Sequence, residues 1–457
     1  MRSKLVLVSL ALLAGCPDRT VSEVPTSTGS VENRDFPANP RRKLDLLFLI
    51  DNSGSMADEQ ASLKANFASF MSVLEQVQGG LPDVHIGVAT SDLGTSNLDG
   101  TTAGTKFGCK SNGDAGVLHP LVNGQRFISD IADASGGRIR NYSGALADAF
   151  TEIADVGTLG CGIEQHLGSM AAALDPANTA NTGFVRDDAI LAIVIIADED
   201  DCSLAHAGLF ESATDGTAVN FQCTEDGVAC DTPSTDFLSA TGDRADCHPN
   251  AHAKWTMDPG HYIEAIRQLK PDPRDLVVAG IVGPSDRFGI TKANNATVLG
   301  SSCPAGSQFK AFPAVRTATF LQGFPGFTQE SICDHDLSPA LTKISLAIAN
   351  SIGSRCFLHA PADLDPTTAG PQYDCSVVEV RERANQPVEE LAVLPPCDRN
   401  PTGTMCWQIV SDPADCGTTA TPSHLALDIQ WNGVPHDDTI AIQAQCVTVD
   451  DGGSGFQ

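Results

Sequence analysis

Residues 46–56 read LLFLIDNSGSM. The apolar run over residues 42–50, RKLDLLFLI, stops at Asp51, and hydroxyl side chains follow at Ser53 and Ser55. A short, continuously apolar run ended by a turn signal predicts a buried strand. In an open α/β sheet, ligands collect outside the carboxyl ends of strands, and Asp51 falls at such an end. Alternating side chains in a tight turn can aim one carboxylate and two hydroxyls at a single point. Oxygen ligands of this kind suit a hard divalent cation, Mg²⁺ or Mn²⁺, which takes about six oxygens. Two of the three groups are neutral, so the metal stays electrophilic, and an open coordination position would draw a carboxylate from outside. A serine here could instead cap the helix that starts near Ala57. Capping accounts for one serine, but not for Asp51 together with two alternating hydroxyls.

The flanking sequence alternates between strand and helix patterns. Residues 57–77 place Leu63, Phe67, Phe70, Met71, Leu74 and Val77 at steps of three and four, a helix with one apolar face. Residues 84–90, VHIGVAT, predict the next strand. From Ser91 to about Phe150 the periodicity weakens among Gly, Asn, Asp and Thr, which predicts an insertion near 91–150. A helix is expected from about Gly162 to Leu174, with Ile163, Leu167, Met170 and Leu174 in register. AILAIVIIA, residues 189–197, is the most apolar strand of the chain. A second insertion, near 200–255, carries Cys202, Cys223, Cys230 and Cys247. HYIEAIRQLK predicts a helix and DLVVAGIVG a strand. A last helix opens at Ser338-Pro339, with Leu341, Ile344, Ile348 and Ile352 on its apolar face. Continuous apolar strands alternating with helices define an α/β fold, a doubly wound, mostly parallel sheet flanked by helices. After Cys356 come short strand-like runs divided by Pro, Gly and Asp. They predict a small β-rich, disulfide-stapled domain over 356–450 and a disordered tail over 451–457.

The N-terminus reads as an export signal. Arg2 and Lys4 precede an apolar core over residues 5–15, too short to span a bilayer but suited to secretion. Leu13-Ala14-Gly15-Cys16 resembles the lipobox of bacterial lipoproteins, which implies a signal peptide over 1–15 and a lipidated Cys16. The polar, Pro-containing residues 16–41 predict a flexible tether. Acyl chains would anchor the chain to the cell envelope without a membrane-spanning helix. The formal net charge is −29, with 57 acids against 28 bases, which argues against a nucleic-acid partner. Of the 15 cysteines, setting Cys16 aside leaves 14. In an exported chain that even number predicts up to seven disulfides. No CxxC pair occurs, which argues against zinc.

Asp51-Asn52-Ser53-Gly54-Ser55 resembles the DxSxS motif of von Willebrand factor type A domains, the opening part of their metal-ion-dependent adhesion site. The resemblance covers roughly residues 42–355 and implies two further ligands. One is a threonine in a loop ahead of a helix. Thr158, in VGTLGCG, fits best, with Thr90 and Thr95 as alternatives because they follow a strand end. The other is an aspartate ending the central apolar strand, which places Asp198 in the site. The family usually has Asp-Gly there, whereas this chain has Asp198-Glu199-Asp200-Asp201. The departure leaves open which acid faces the metal and whether a second ion binds beside it. For Glu199 and Asp201 the plainer expectation is a solvated acidic loop. His85, His119, His166, His206, His248, His252, His261 and His335 show no ligand spacing.

Strand order, cysteine placement and lipobox are similar to those of lipoproteins carrying this domain in Gram-negative bacteria, myxobacteria included. The resemblance implies an envelope-anchored binding or adhesion protein rather than an enzyme. Asp51, Ser53, Ser55, Thr158 and Asp198 would hold Mg²⁺ or Mn²⁺, and an acidic residue of a protein partner would complete its shell. A metal-dependent hydrolase is the alternative, but no GxSxG elbow and no general base at a recognisable spacing accompany the site. A structural domain without a metal-dependent ligand is the other alternative.

Overall fold

The computed structural model describes residues 30–37, 42–77, 80–133, 137–212, 216–235, 240–270, 273–293, 296–352, 356–357, 359–363, 372–381, 388–400, 405–411, 424–433 and 440–448. The expected signal peptide, Cys16 and the tail over 451–457 lie outside them.

Seven strands make the central sheet: β1 (Lys43–Ile50), β2 (Asp83–Thr90), β3 (Ile128–Ala132), β4 (Arg138–Arg140), β5 (Ile190–Ala197), β6 (Leu276–Val282) and β7 (Thr328–Ser331). Their order is β7-β6-β5-β1-β2-β3-β4. The run from β7 to β2 is parallel, while β3 and β4 add antiparallel at the edge. The helices that pack on it are α1 (Ala57–Glu75), α2 (Leu146–Ile153), α3 (His166–Leu174), α4 (Pro259–Leu269), α5 (Val315–Gln322) and α6 (Ser338–Ile352).

Alternation along the strands decides which helix covers which face. Leu44, Leu46, Phe48 and Ile50 point into one core with Phe67 and Phe70 of α1, Phe150 of α2 and Ile344 of α6. Leu47 and Leu49 point into the other, with Leu167 and Met170 of α3, Tyr262 of α4 and Phe320 of α5. Both faces are covered, so β1, β5 and β6 are apolar at successive positions rather than alternate ones. Phe48 anchors the first core, its ring edge-on to Phe67, Phe70 and Phe150 at 6.0, 5.6 and 5.0 Å. Burying a side chain of this size stabilises the fold by about 1.5–3 kcal/mol. The doubly wound α/β architecture expected from the sequence is present.

Three local expectations are revised. Residues 91–150 are not wholly an insertion: they supply β3, β4 and α2. The helix expected from about Gly162 begins only at His166. Residues 164 and 165 are held in a loop instead, because Gln165 N–H donates to Ser91 O and Glu164 O accepts from Cys202 N–H. Ser30–Pro37, expected within the flexible tether, pairs antiparallel with Ile440–Thr448. That strand would otherwise show an open edge, and unpaired edges recruit chain.

The second insertion folds with a hairpin that follows β6. Val228–Thr232, Ser234–Thr235, Gly242–Pro249, Arg287–Ala293 and Ala296–Leu299 form a five-stranded antiparallel sheet. The C-terminal region is β-rich, as expected. Ile440–Thr448, Cys375–Arg381 and Glu389–Val393 share a sheet with Ser30–Pro37, and Cys406–Ser411 pairs with Leu425–Gln430. Its core gathers Phe357, Val377, Trp407, Leu427 and Ile442.

Six disulfides join described residues: Cys109–Cys161, Cys202–Cys223, Cys230–Cys247, Cys303–Cys333, Cys375–Cys446 and Cys397–Cys406. Cys356 is disulfide-bonded as well. This density marks a chain that folds in an oxidising compartment, outside the cytosol. No helix among the described residues is long and apolar enough to cross a membrane.

Candidate functional site at the carboxyl end of the central strands

β1 stays paired with β5 to its last residue, Ile50, and Asp51 N–H extends the ladder to Ile196 O at 3.0 Å. Beyond that bond the chain turns. The Asp51 carboxylate folds back and its Oδ1 accepts from Ser53 N–H at 2.7 Å, an Asx-type turn. Ser91 Oγ, at the end of β2, donates to the same oxygen at 3.3 Å. Ser53 Oγ and Ser55 Oγ stand 3.0 Å apart. α1 begins at Ala57 with no side-chain cap. The serines therefore face each other above the strand end rather than capping the helix.

The loop carrying Thr158 is fastened to this turn. Gln60 Nε2 donates to both Asp51 O and Gly157 O at 2.9 Å, and Gly160 N–H donates to Asn52 O at 2.9 Å. A Cβ at Gly160 would lie 2.2 Å from Asn52 Oδ1, so only glycine permits this approach. Thr158 thus lies between two points tied to residues 51 and 52. The alternative threonines are engaged elsewhere: Thr90 Oγ1 donates to Asp114 Oδ2, and Thr95 Oγ1 to Gly104 O, both at 2.7 Å.

Asp198 leaves the end of β5, its carbonyl accepting from Phe312 N–H at 2.7 Å. Asp51 and Asp198 are buried, and Oδ2 of the first and Oδ1 of the second have no hydrogen-bond partner. Glu59 Oε2, Glu164 Oε1 and Asn52 Oδ1 are buried without partners too. Orphaned buried oxygens carry a desolvation cost that native folds avoid unless something else supplies a charge. Burial, and then the charges of Asp51 and Glu199, push the Asp198 carboxyl up to about 8, against a lowering contact from Ser55. Burial also raises Glu164 well above the usual range, with the charges of Glu199 and Asp51 adding to it. Glu199 is raised by burial, although its hydrogen bond with Glu164 acts the other way. Glu59 is raised by burial, with Asp58 and Asp51 contributing. Burial and mutual repulsion thus disfavour the ionised forms of these carboxyls.

The acidic run after β5 is not a solvated loop. Asp200 accepts from Arg316 N–H at 2.9 Å and from Thr317 N–H and Oγ1 at 3.0 and 3.1 Å, binding the first turn of α5. Asp201 is fully buried and pairs with Arg316 Nη2 at 3.0 Å. Its other oxygen accepts from Leu167 N–H at 2.9 Å, at the start of α3. The expectation for Asp201 fails because a buried arginine and a helix N-terminus claim its carboxylate. Glu199 is half-buried and faces Glu164. Asp200 and Asp201 have their oxygens engaged, which leaves Asp198 as the acid of the run with a free oxygen beside Asp51.

His166 was not singled out by spacing, yet it is fully buried with Nε2 3.5 Å from Asp51 Oδ2. Burial draws its pKa down, but the adjacent Asp51 carboxylate, with Asp201 and Asp200, turns the net shift upward. Ser91, Glu59 and Glu164 were missed as well. The i, i+2 pair Glu164/His166 was visible in the sequence, but the helical register of Ile163 and Leu167 obscured it. Among the described residues, no three His, Cys, Asp or Glu side chains form a metal-binding group. Any cation here would rest on two aspartates and on hydroxyls.

No family description and no curated protein matches the chain. Solved structures do resemble it at a distance. The pilus adhesin SpaC of Lactobacillus rhamnosus GG matches at 10% identity and a TM-score of 0.31, over 93% of this chain and 44% of that one. The chain therefore spans less than half of that adhesin's length. The conserved hypothetical protein BatB of Bacteroides thetaiotaomicron matches at 9% identity and 0.26, over 68% of this chain and 100% of that one. The adhesive tip pilin GBS104 of Group B Streptococcus agalactiae matches at 11% and 0.28, over 93% and 82%. Likenesses this faint leave the reading of the site to its own geometry.

Proposed function

We propose that this chain is an exported binding protein with a domain of the von Willebrand factor type A kind, holding Mg²⁺ or Mn²⁺ at the Asp51 turn. Asp51, Ser53, Ser55, Thr158 and Asp198 would be its ligands. The observation that carries the reading is the pair of buried carboxylate oxygens on Asp51 and Asp198 that accept no hydrogen bond, with two serine hydroxyls 3.0 Å apart on the same turn as Asp51. When bound, the cation supplies a positive charge able to accept a carboxylate from a protein partner. The chain's own part is orientation. The Asx turn and Ser91 hold Asp51 Oδ1, which leaves Oδ2, buried 3.5 Å from His166 Nε2, as the oxygen without a hydrogen bond. Gln60 and Gly160 hold the Thr158 loop against it. The lipobox at Cys16 would tether the chain to the envelope.

Calorimetric titration of Mg²⁺ into EDTA-stripped protein tests the reading. The wild type binds, Asp51→Ala does not, and Thr158→Ala binds about tenfold more weakly, the loss of one neutral oxygen ligand. A wild-type chain that binds neither Mg²⁺ nor Mn²⁺ would overturn it. Capture of a partner that survives both EDTA and Asp51→Ala would place recognition elsewhere.

A further inference from the structure

Beside the acidic strand end lies a cavity of about 510 Å³. Its walls come from segments far apart in sequence: Phe107 from the first insertion, Phe221 from the second, Val298 and Leu299 from the hairpin after β6, and Phe312 from the loop before α5. Cys109–Cys161 and Cys202–Cys223 border it, the first tying the first insertion to the loop before α3 and the second closing the start of the second insertion on itself. The size is that of a pocket for a small organic ligand. Glu164 and Glu199 line it too. Glu164 is 3% exposed, and its Oε1 has no hydrogen-bond partner.

The chemistry of the lining selects among ligand classes. An anion would meet carboxylates, and the lining cation, Arg316, is taken: its side chain donates to Asp201 O, Asp201 Oδ2 and Met257 O. A metal ion needs several converging oxygens, and of the lining acids Asp200 and Asp201 spend theirs on α5, Arg316 and α3, which leaves only Glu164 and Glu199. A neutral apolar ligand would fill the walls but leave Glu164 Oε1 unpaired. A cation on an apolar body satisfies both parts, since aromatic walls attract an ammonium as well as its stem.

We propose that this cavity is a second binding site, separate from the Asp51 turn, for an ammonium group on an apolar stem, with the charge at Glu164 and Glu199 and the stem against Phe221, Leu299 and Phe312. A lysine side chain of a partner protein and a free alkylamine share that chemistry.

The test is calorimetry on the full chain in EDTA, which removes any contribution from a divalent cation. Hexylammonium, hexanol and hexanoate are compared, followed by a peptide with one central lysine. Hexylammonium binds at one site, and hexanol and hexanoate bind at least about tenfold more weakly, the worth of a charge-assisted hydrogen bond in a buried setting. Glu164→Gln weakens hexylammonium by a similar factor and leaves hexanol unchanged. Equal sensitivity of the peptide to Glu164→Gln assigns the site to a protein lysine, and binding of hexylammonium alone assigns it to free amines. Hexanol binding as well as hexylammonium, or Glu164→Gln without effect on hexylammonium, overturns the proposal. If Glu164→Gln does not fold, the comparison of the three probes on the wild-type chain still decides.

Discussion

Asp198→Asn should act on stability and on cation binding in opposite directions. In the cation-free fold the Asp198 carboxyl is pushed up to about 8 from its ordinary 3.8. Between those values the folded chain holds a proton that the unfolded chain has released. Stability therefore falls as pH rises through that window: its contribution is full below about pH 4 and gone above about pH 8. At 1.36 kcal/mol per unit, four units make about 5 kcal/mol, a ceiling because part of the shift belongs to the nearby charges of Asp51 and Glu199. Asparagine cannot ionise, but it leaves a buried polar group poorly satisfied, which costs about 1–3 kcal/mol. At pH 8.5 in EDTA the variant should be more stable than wild type by about 2–4 kcal/mol, a rise in Tm of about 3–6 °C for a domain of roughly 300 residues. At pH 4 the sign should reverse, leaving the variant less stable by about 1–3 kcal/mol, the cost of the amide. Mg²⁺ at a hundredfold excess over its Kd should add about 2.7 kcal/mol to the wild type and almost nothing to the variant. Thermal melts by circular dichroism, with and without Mg²⁺ at both pH values, read all four quantities. A variant that melts below wild type at pH 8.5 in EDTA, while gaining equally from Mg²⁺, would refute the reasoning.

Arg316→Met should destabilise the chain by about 3–5 kcal/mol in a denaturant melt, because it strands the buried Asp201 carboxylate without its ion-pair partner. Reduction under native conditions should open the C-terminal β region before the central sheet, read as earlier proteolysis after Cys356. Its core is small and depends on Cys375–Cys446 and Cys397–Cys406. Cys16→Ala should move the protein from the membrane pellet to the soluble exported fraction, and a variant that stays in the pellet at high salt would rule out anchoring at that residue.

The central sheet was legible because its strands announce themselves. β1 and β5 are buried on both faces, so apolar residues run without interruption and stop where a carboxylate begins. The helices α1 and α6 were legible because one face of each packs on that sheet. The edge strands β3 and β4 were not, because they carry Asp130, Arg138 and Arg140, whose ion pairs replace the apolar pattern. The loop at residues 162–165 was read as helix because Ile163 is apolar in register. What holds it open is a set of long-range bonds to Ser91 and Cys202 that no local pattern records. Glu164 and His166 were lost with it.

The run Asp198-Glu199-Asp200-Asp201 shows why a departure from the Asp-Gly pattern need not mean a second metal. As the chain leaves β5, successive side chains point in different directions, and each acid meets a different neighbour. Asp198 turns toward the charge field of Asp51, Glu199 toward Glu164, Asp200 toward the first turn of α5, and Asp201 toward Arg316 and the start of α3. A glycine at position 199 would leave the cavity without one of the two lining carboxylates that α3, α5 and Arg316 do not engage. Neutral residues at 200 and 201 would leave helix N–H groups and a buried guanidinium unpaired. The last two acids are therefore answered within the fold, and they fix α3 and α5 beside the site. The first two meet other acids and a serine hydroxyl, and the burial and repulsion that hold their carboxyls above the ordinary range are what a cation arriving at either position would relieve.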